Sequence, residues 1–152
     1  MTPLDVTVRV ATDADLDRLV ALSDQASESI RPSRGGAAHL DVDGYGWSMA
    51  VRFAGPHRTT FIGLIDDATI GYAVVAAAGA SARIEAIYVE PDAREVGVGE
   101  ELLNAAIAWS QHQGCSILDA VALPGDRHTK NFFETFGMVA RAITVSRSLT
   151  SD

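Results

Sequence analysis

Between Ile84 and Gly99 the chain reads Ile84-Glu85-Ala86-Ile87-Tyr88-Val89-Glu90-Pro91-Asp92-Ala93-Arg94-Glu95-Val96-Gly97-Val98-Gly99, a β-rich run, a tight turn and the start of a helical period. Gly97 and Gly99 carry no side chains, so successive backbone N–H groups can converge at the helix start and a diphosphate can approach them. Arg94 adds a positive charge at the rim of that turn. The competing reading is packing, because a bare G-x-G says only that the loop lies close to its strand. Two other phosphate loops are excluded by the same residues. A P-loop ends in Gly-Lys-Ser or Gly-Lys-Thr, whereas Gly99 is followed by Glu100 and Glu101; a dinucleotide loop needs a third glycine where Leu102 stands.

Other groups with chemical capacity are scattered. His39, Asp41 and Asp43 form H-x-D-x-D, a ligand-like composition without strong supporting ligands, so a plain loop and no metal are expected. Cys115 heads an apolar run and reads as inert core. His128 and Lys130 flank the start of the last helical segment and read as solvated surface.

Composition bounds what these groups can serve. The chain has 152 residues, 47% of them hydrophobic, with 13 Gly, 5 Pro and 1 Cys, which describes one domain over residues 1–152. One cysteine builds neither a disulfide framework nor a Cys-rich zinc site, so a cytoplasmic address is expected. Charged residues interrupt the first 30 positions, so no signal peptide is expected, and the apolar stretch Tyr72 to Ala80 is far shorter than the ~20 residues that cross a bilayer. Twelve Lys+Arg against twenty Asp+Glu, a formal charge of -8, argues against a nucleic-acid partner and favours a cationic or amine substrate. A small anionic cofactor stays compatible, because backbone N–H groups can hold a phosphate locally.

The elements that must position the turn follow from periodicity. Val6, Val8 and Val10 alternate as in a half-buried strand, and Thr12 with Asp15 approximates a capping box before a helix whose face carries Leu16, Leu19, Val20 and Ser23, with Leu22 and Ala26 beside it. Residues 27–55 are broken by Pro and Gly and read as a loop with one weak helix. Thr59 to Ile65 and Thr69 to Ala78 form a hairpin through Asp66-Asp67-Ala68, and Arg83 to Val89 adds a third antiparallel strand. A helix from Val98 carries Leu102, Ala105, Ala106 and Trp109 on one side and stops at Gly114. Ile117 to Leu123 reads as a buried strand, Thr129 to Phe136 as a helix ended by Gly137, and Met138 to Leu149 as a final strand. The fold class is therefore α/β or α+β, a mixed sheet with helices on both faces.

These residues resemble the GCN5-related N-acetyltransferase (GNAT) family, whose acyl-CoA loop reads Arg or Gln, x, x, Gly, x, Gly or Ala. Arg94-x-x-Gly97-x-Gly99 matches it in full. The opening strand and Asp-rich helix, the hairpin, Tyr88-Val89-x-Pro91 and the distal Asn131-Phe132-Phe133-Glu134-Thr135-Phe136-Gly137-Met138 stand in family order over nearly the whole chain.

The resemblance implies a GNAT-type fold with a central, mostly antiparallel sheet, and an enzyme moving the acetyl group of acetyl-CoA directly to a primary amine. It implies that the backbone of Ile87, Tyr88 and Val89 pairs with the pantetheine arm and that Glu95, Val96, Gly97, Val98, Gly99 and Glu100, with Arg94, cradle the diphosphate. Asp126 stands where the family usually has Asn, and Thr129 where a small residue faces the cofactor. Phe133 stands where the family often has a Tyr general acid, a group typically contributing ~10²–10⁴ in rate. A leaving thiol with a pKa of ~8.5 tolerates that loss. Glu85 matches a family position for substrate binding or proton acceptance; its alternative is a carboxylate paired with Arg83 or another Arg. Tyr88 reads as packing or as a replacement acid, and Trp47 as an acceptor-pocket wall or as packing. A symmetric homodimer is the family expectation. A non-catalytic acyl-CoA-binding module, left without its acid at Phe133, is the rival reading.

Overall fold

The computed structural model describes residues 4–46, 48–53 and 55–150. β1 (Val6–Val10) leads through a short 3-10 turn into α1 (Leu16–Ile30). The Thr12 N–H donates to Asp15 Oδ2 at 2.8 Å, and Arg9 clasps the same carboxylate at 2.8 and 3.0 Å, tying the strand's end to the helix start. Those donors hold the Asp15 carboxyl down at about 2. The buried face of α1 is Leu19, Leu22 and Ala26; Val20, expected on that face, is exposed.

β2 (Arg58–Ile65) and β3 (Ala68–Ala78) form the expected hairpin. Asp66 and Asp67 both adopt positive φ, 48° and 70°, the twist that a two-residue turn needs and that Asp tolerates. β4 (Ser81–Val89) continues the antiparallel sheet, and α4 (Val98–His112) crosses its back. The sheet order is β1-β2-β3-β4-β5, with β5 (Ile117–Asp119) parallel to β4.

Alternation assigns the two faces. Ile62, Leu64, Tyr72, Val74 and Tyr88 pack under α1 and α3 (Met49–Phe53), whereas Val75 and Ile84 pack against Leu103 and Ala106 of α4 and Phe133 of α5 (Arg127–Thr135). β4 changes phase midway. Val74 pairs with Ala86 and Val75 with Ile84, so Glu85 is the extra residue of a β-bulge, which turns Ala86 and Tyr88 to the α1 face after Ala82 and Ile84 have faced α4.

Three expectations are corrected. The segment 27–55 holds the end of α1 and two short helices, α2 (Gly36–Asp41) and α3, because His39, Leu40, Met49 and Arg52 find buried positions that local propensity does not reveal. β5 stops at Asp119 instead of reaching Leu123, since beyond Arg83↔Asp119 the neighbouring strand moves away and leaves no ladder to extend. Residues 139–149 form no strand, because no strand among the described residues pairs with them. Leu103 joins Leu102 in the α4 core, and Cys115 is half-buried in the loop before β5, not within a strand.

Candidate active site

The parallel pairing of β4 with β5 covers only Ser81↔Ile117, Ala82↔Leu118 and Arg83↔Asp119. From Ile84 to Val89, β4 therefore presents an outer edge that no strand among the described residues occupies, and a cleft of about 480 Å³ opens there. An extended ligand can add to such an edge as a strand would. Ile87, Tyr88 and Val89 line the cleft, as do Arg94, Glu95, Gly97, Gly99 and Glu100 of the following turn.

The turn aims its N–H groups by backbone conformation. Glu95 has φ 71° and Gly97 φ 95°, so residues of opposite hand alternate on the way into α4. Gly97 is the N-cap of that helix and no side chain caps it, while Glu101 N–H already bonds Gly97 O. The earlier N–H groups of the first turn are thus free for an anion. No heavy atom lies within 4 Å of where a Cβ on Gly97 would stand, so the space before the helix is open. Gly99 differs: a Cβ there would meet Phe132 Cε2 at 3.3 Å, so this glycine makes room for α5. Arg94 is fastened by its Nε to Val89 O at 3.1 Å, with its guanidinium 5.8 Å from the Tyr88 ring.

The remaining expected cofactor residues divide. Val96 is exposed and does not line the cleft. The Val98 side chain is fully buried against Gly63 and Leu102, drawn there by the apolar sheet face, which leaves its backbone to face a ligand. Asp126 is the N-cap of α5, accepting from Thr129 N–H at 3.1 Å and from the Thr129 hydroxyl at 2.6 Å. Both residues line the cleft, but their polar groups are turned on each other. Phe133 is buried in the α4 core while one part of it faces the cleft.

Glu85 is the clearest change from a free proton acceptor. Arg58 donates to both its oxygens at 2.7 Å, and Arg52 Nη1 donates to Oε2 at 3.3 Å. The bulge turns this carboxylate toward β2 and α3, where both arginines stand; Arg83 instead reaches the Tyr45 hydroxyl. The Tyr88 hydroxyl donates to Gln25 Oε1 at 3.3 Å, and burial raises its phenol above the ordinary value against the opposing charge of Arg94.

Sequence reasoning missed the other half of the cleft. His39 and Tyr45 stack with centroids 4.0 Å apart, Arg52 sits 5.4 Å from the Tyr45 ring, and all three line the cleft with Ser23, Ser27 and Tyr72. Burial pushes the His39 imidazole below its usual value; Asp43, 4.0 Å away, opposes that and Arg52 adds to it. Burial likewise pushes the Tyr72 phenol up to about 12. The only sequence signal was H-x-D-x-D, which reads as a plain loop; the structure instead sets His39 and Asp41 in α2 and stacks His39 on Tyr45. Trp47 lies outside the described residues.

The unpaired edge of β4, the parted β5 and the uncapped α4 together form one continuous opening. The sequence model of the acetyltransferase (GNAT) family matches residues 24–138, well over half of the chain.

This chain belongs to the GNAT family.

Among solved structures similar to this GNAT family member is the aminoglycoside N-acetyltransferase AAC(6')-Iy in complex with CoA, 20% identical over 99% of this chain and 100% of that one, TM-score 0.71. The aminoglycoside 6'-N-acetyltransferase AAC(6')-IG from Acinetobacter haemolyticus is 18% identical over 96% and 99%, TM-score 0.70. A transcriptional regulator from Bacillus halodurans C-125 is 19% identical over 95% and 100%, TM-score 0.69. At these identities the likeness establishes the GNAT fold and not a substrate. No curated protein sequence matches the chain. Among the described residues no helix is long and apolar enough to cross a membrane.

Proposed function

We propose that this protein transfers the acetyl group of acetyl-CoA to a primary amine of a small molecule or peptide, by direct attack in a ternary complex, in the cytoplasm. The observation that carries the reading is the continuous path from the unpaired β4 edge, residues 84–89, into the uncapped N-terminus of α4. The edge suits the amide-bearing pantetheine arm, and the open space at Gly97 suits the diphosphate. When bound, acetyl-CoA supplies a thioester carbonyl for the amine to attack.

The chain's own groups do the rest. Backbone N–H groups where β4 and β5 part are placed to polarise an acyl oxygen. An alkyl ammonium, pKa ~10.4, must lose a proton before it attacks. In this proposal His39 accepts that proton, because it lines the cleft and its depressed pKa keeps the imidazole neutral near pH 7. Glu85 holds Arg52 and Arg58 in place, both its oxygens being taken by guanidinium donors. Tyr88 packs and positions Arg94.

This half of the cleft revises the acceptor suggested by bulk charge. Of the four carboxylates that line the cleft among the described residues, Glu95, Glu100 and Asp126 stand at the cofactor end, and Glu85 is already shared by two arginines, which leaves little for a polycation. The proposal therefore favours an acceptor with a single amine, such as an amino compound or a peptide terminus.

The non-catalytic acyl-CoA-binding module remains a second reading, favoured by Phe133 in place of an acid and by the doubly paired Glu85. Acetyl-CoA should raise the melting temperature under both readings. Amine-dependent release of free thiol across a panel of monoamines, peptides and polyamines separates them. Thiol release with no amine supports the enzyme reading only if it rises on adding one.

A further inference from the structure

We propose that Arg52 receives a carboxylate of the acceptor, which makes the acceptor an amino acid: a small molecule that carries its amine and its carboxylate a few bonds apart. The inference rests on the reading that this cleft acetylates an amine, and it names the class of amine. It runs against bulk charge. The chain is at -8, yet three of its twelve basic residues, Arg52, Arg58 and Arg83, gather at the acceptor half of the cleft.

Arg52 is a buried cation with little to neutralise it. It stands on α3 at 5% exposure and lines the cleft. A guanidinium in such a place is costly unless an anion meets it. Glu85 is the lining carboxylate of this half, but Arg58 engages both its oxygens at 2.7 Å. Arg52 reaches Glu85 through Nη1 alone at 3.3 Å, longer than the ~2.7–2.9 Å of a close charge-assisted bond. Its Nη2 donates to Gly44 O, and its guanidinium lies 5.4 Å from the Tyr45 ring, contacts that hold it without cancelling its charge. A guanidinium has five N–H donors, and among the described residues two of those on Arg52 find acceptors. Arg83 donates to the Tyr45 hydroxyl at 3.1 Å, which brings another guanidinium and no carboxylate. Asp43 stands 4.0 Å from His39 Nδ1, mostly in water and outside the cleft lining.

The same ring sets the distance between amine and carboxylate. His39 stacks on Tyr45 with centroids 4.0 Å apart, and Arg52 flanks that ring too. His39, which takes the amine's proton in the proposed reaction, therefore stands within one small molecule's span of the guanidinium. Ser23, Ser27 and Tyr72 line this part of the cleft with hydroxyls, not charges. One uncompensated cation suits one negative charge. A carboxylate supplies that and matches the planar fork of Arg, whereas a phosphate brings a charge of about -1.5 to -2.

The test is titration calorimetry on the full chain saturated with CoA, so that the turn at Gly97 is filled. The probes are glycine, alanine, serine, leucine, phenylalanine and glutamate, each beside its α-amide. At least one acid is expected to bind ~10- to 100-fold tighter than its amide. Arg52→Gln should bring the two within about 3-fold of each other at unchanged amide affinity, and Arg52→Lys, which keeps the charge but not the fork, should fall between. A parent that binds no probe, or binds acids no tighter than amides, overturns the proposal. So does a folded Arg52→Gln that weakens acid and amide equally, the mark of an arginine that only holds α3 in place. The parent's ratio needs no variant, so the test survives an Arg52→Gln chain that fails to fold. Thiol release from acetyl-CoA separates this inference from the reading beneath it. Acids bound through Arg52 with no release for any amine would refute acetyl transfer and leave the carboxylate site; equal release with amino acids and plain alkylamines would refute the carboxylate site and leave acetyl transfer. An amino amide has the less basic amine, so proton loss favours the amide and any preference for the acid comes from its carboxylate.

Discussion

Gly97→Ala separates an anion-binding turn from a turn that merely packs. Gly97 holds φ 95° and has open space where a Cβ would go, so in the unliganded protein the substitution meets no neighbour and acts through the backbone. An L-residue in left-handed conformation costs ~1–2 kcal/mol. If the turn keeps its shape, that cost appears as a fall in melting temperature of ~2–8 °C for a domain of this size. If the turn relaxes to negative φ, the N–H groups entering α4 no longer converge, and a charge-assisted hydrogen bond worth ~1.5–3 kcal/mol is lost. In either case the new methyl stands where the diphosphate would lie. We expect CoA affinity to fall ~10- to 150-fold by titration calorimetry. Pantetheine, which has no diphosphate, should bind the variant and the parent alike. Gly99→Ala is the control: its methyl meets Phe132 at 3.3 Å, so it should cost stability and leave CoA affinity nearly unchanged. A Gly97→Ala protein that melts lower but binds CoA as tightly as the parent would refute the cradle, as would an equal loss for pantetheine.

Other expectations follow from the same geometry. Asp126→Ala should lower stability by ~1 kcal/mol through loss of the α5 cap, measured by denaturant unfolding, whereas Asp126→Asn should keep the cap and tighten CoA by removing a negative charge beside the phosphates. His39→Gln should flatten the acid limb of the kcat/KM profile; because burial lowers the His39 pKa, that limb in the parent should fall below the ordinary ~6.5, and a limb above it would exclude His39 as the proton acceptor. Phe133→Tyr should raise kcat by ~10-fold or more at unchanged CoA affinity, and an unchanged kcat would show that thiol protonation does not limit the reaction. Asp15→Asn should be less stable than the parent at neutral pH, with the difference shrinking as pH falls from ~4 to about 2 in acid unfolding monitored by circular dichroism, since the paired carboxylate loses its advantage only as it is protonated.

Local chemistry made the cofactor end legible in the sequence. A left-handed turn with Gly97, a strand ended by Pro91 and an amphipathic helix from Val98 are near neighbours in the chain, so their residue types dictate the conformation that aims the N–H groups. The hairpin through Asp66 and Asp67 was readable for the same reason. The acceptor end was not. His39, Tyr45, Arg52 and Glu85 come from α2, the loop after it, α3 and a bulged strand, and none of them acquires its neighbours until the sheet is assembled.

Glu85 shows the limit most directly: its type announced a carboxylate near the reacting end, but only the bulge that turns it toward Arg52 and Arg58 decided that it is paired. The segment after Met138 shows the converse. Its alternation specifies a strand, and alternation is a property of the chain alone, but a strand exists only where another edge offers hydrogen bonds. What the order of residues determined here is local conformation and the amphipathic faces; what the tertiary structure decided is which charges meet and which edges stay open, because both depend on groups brought together from distant positions.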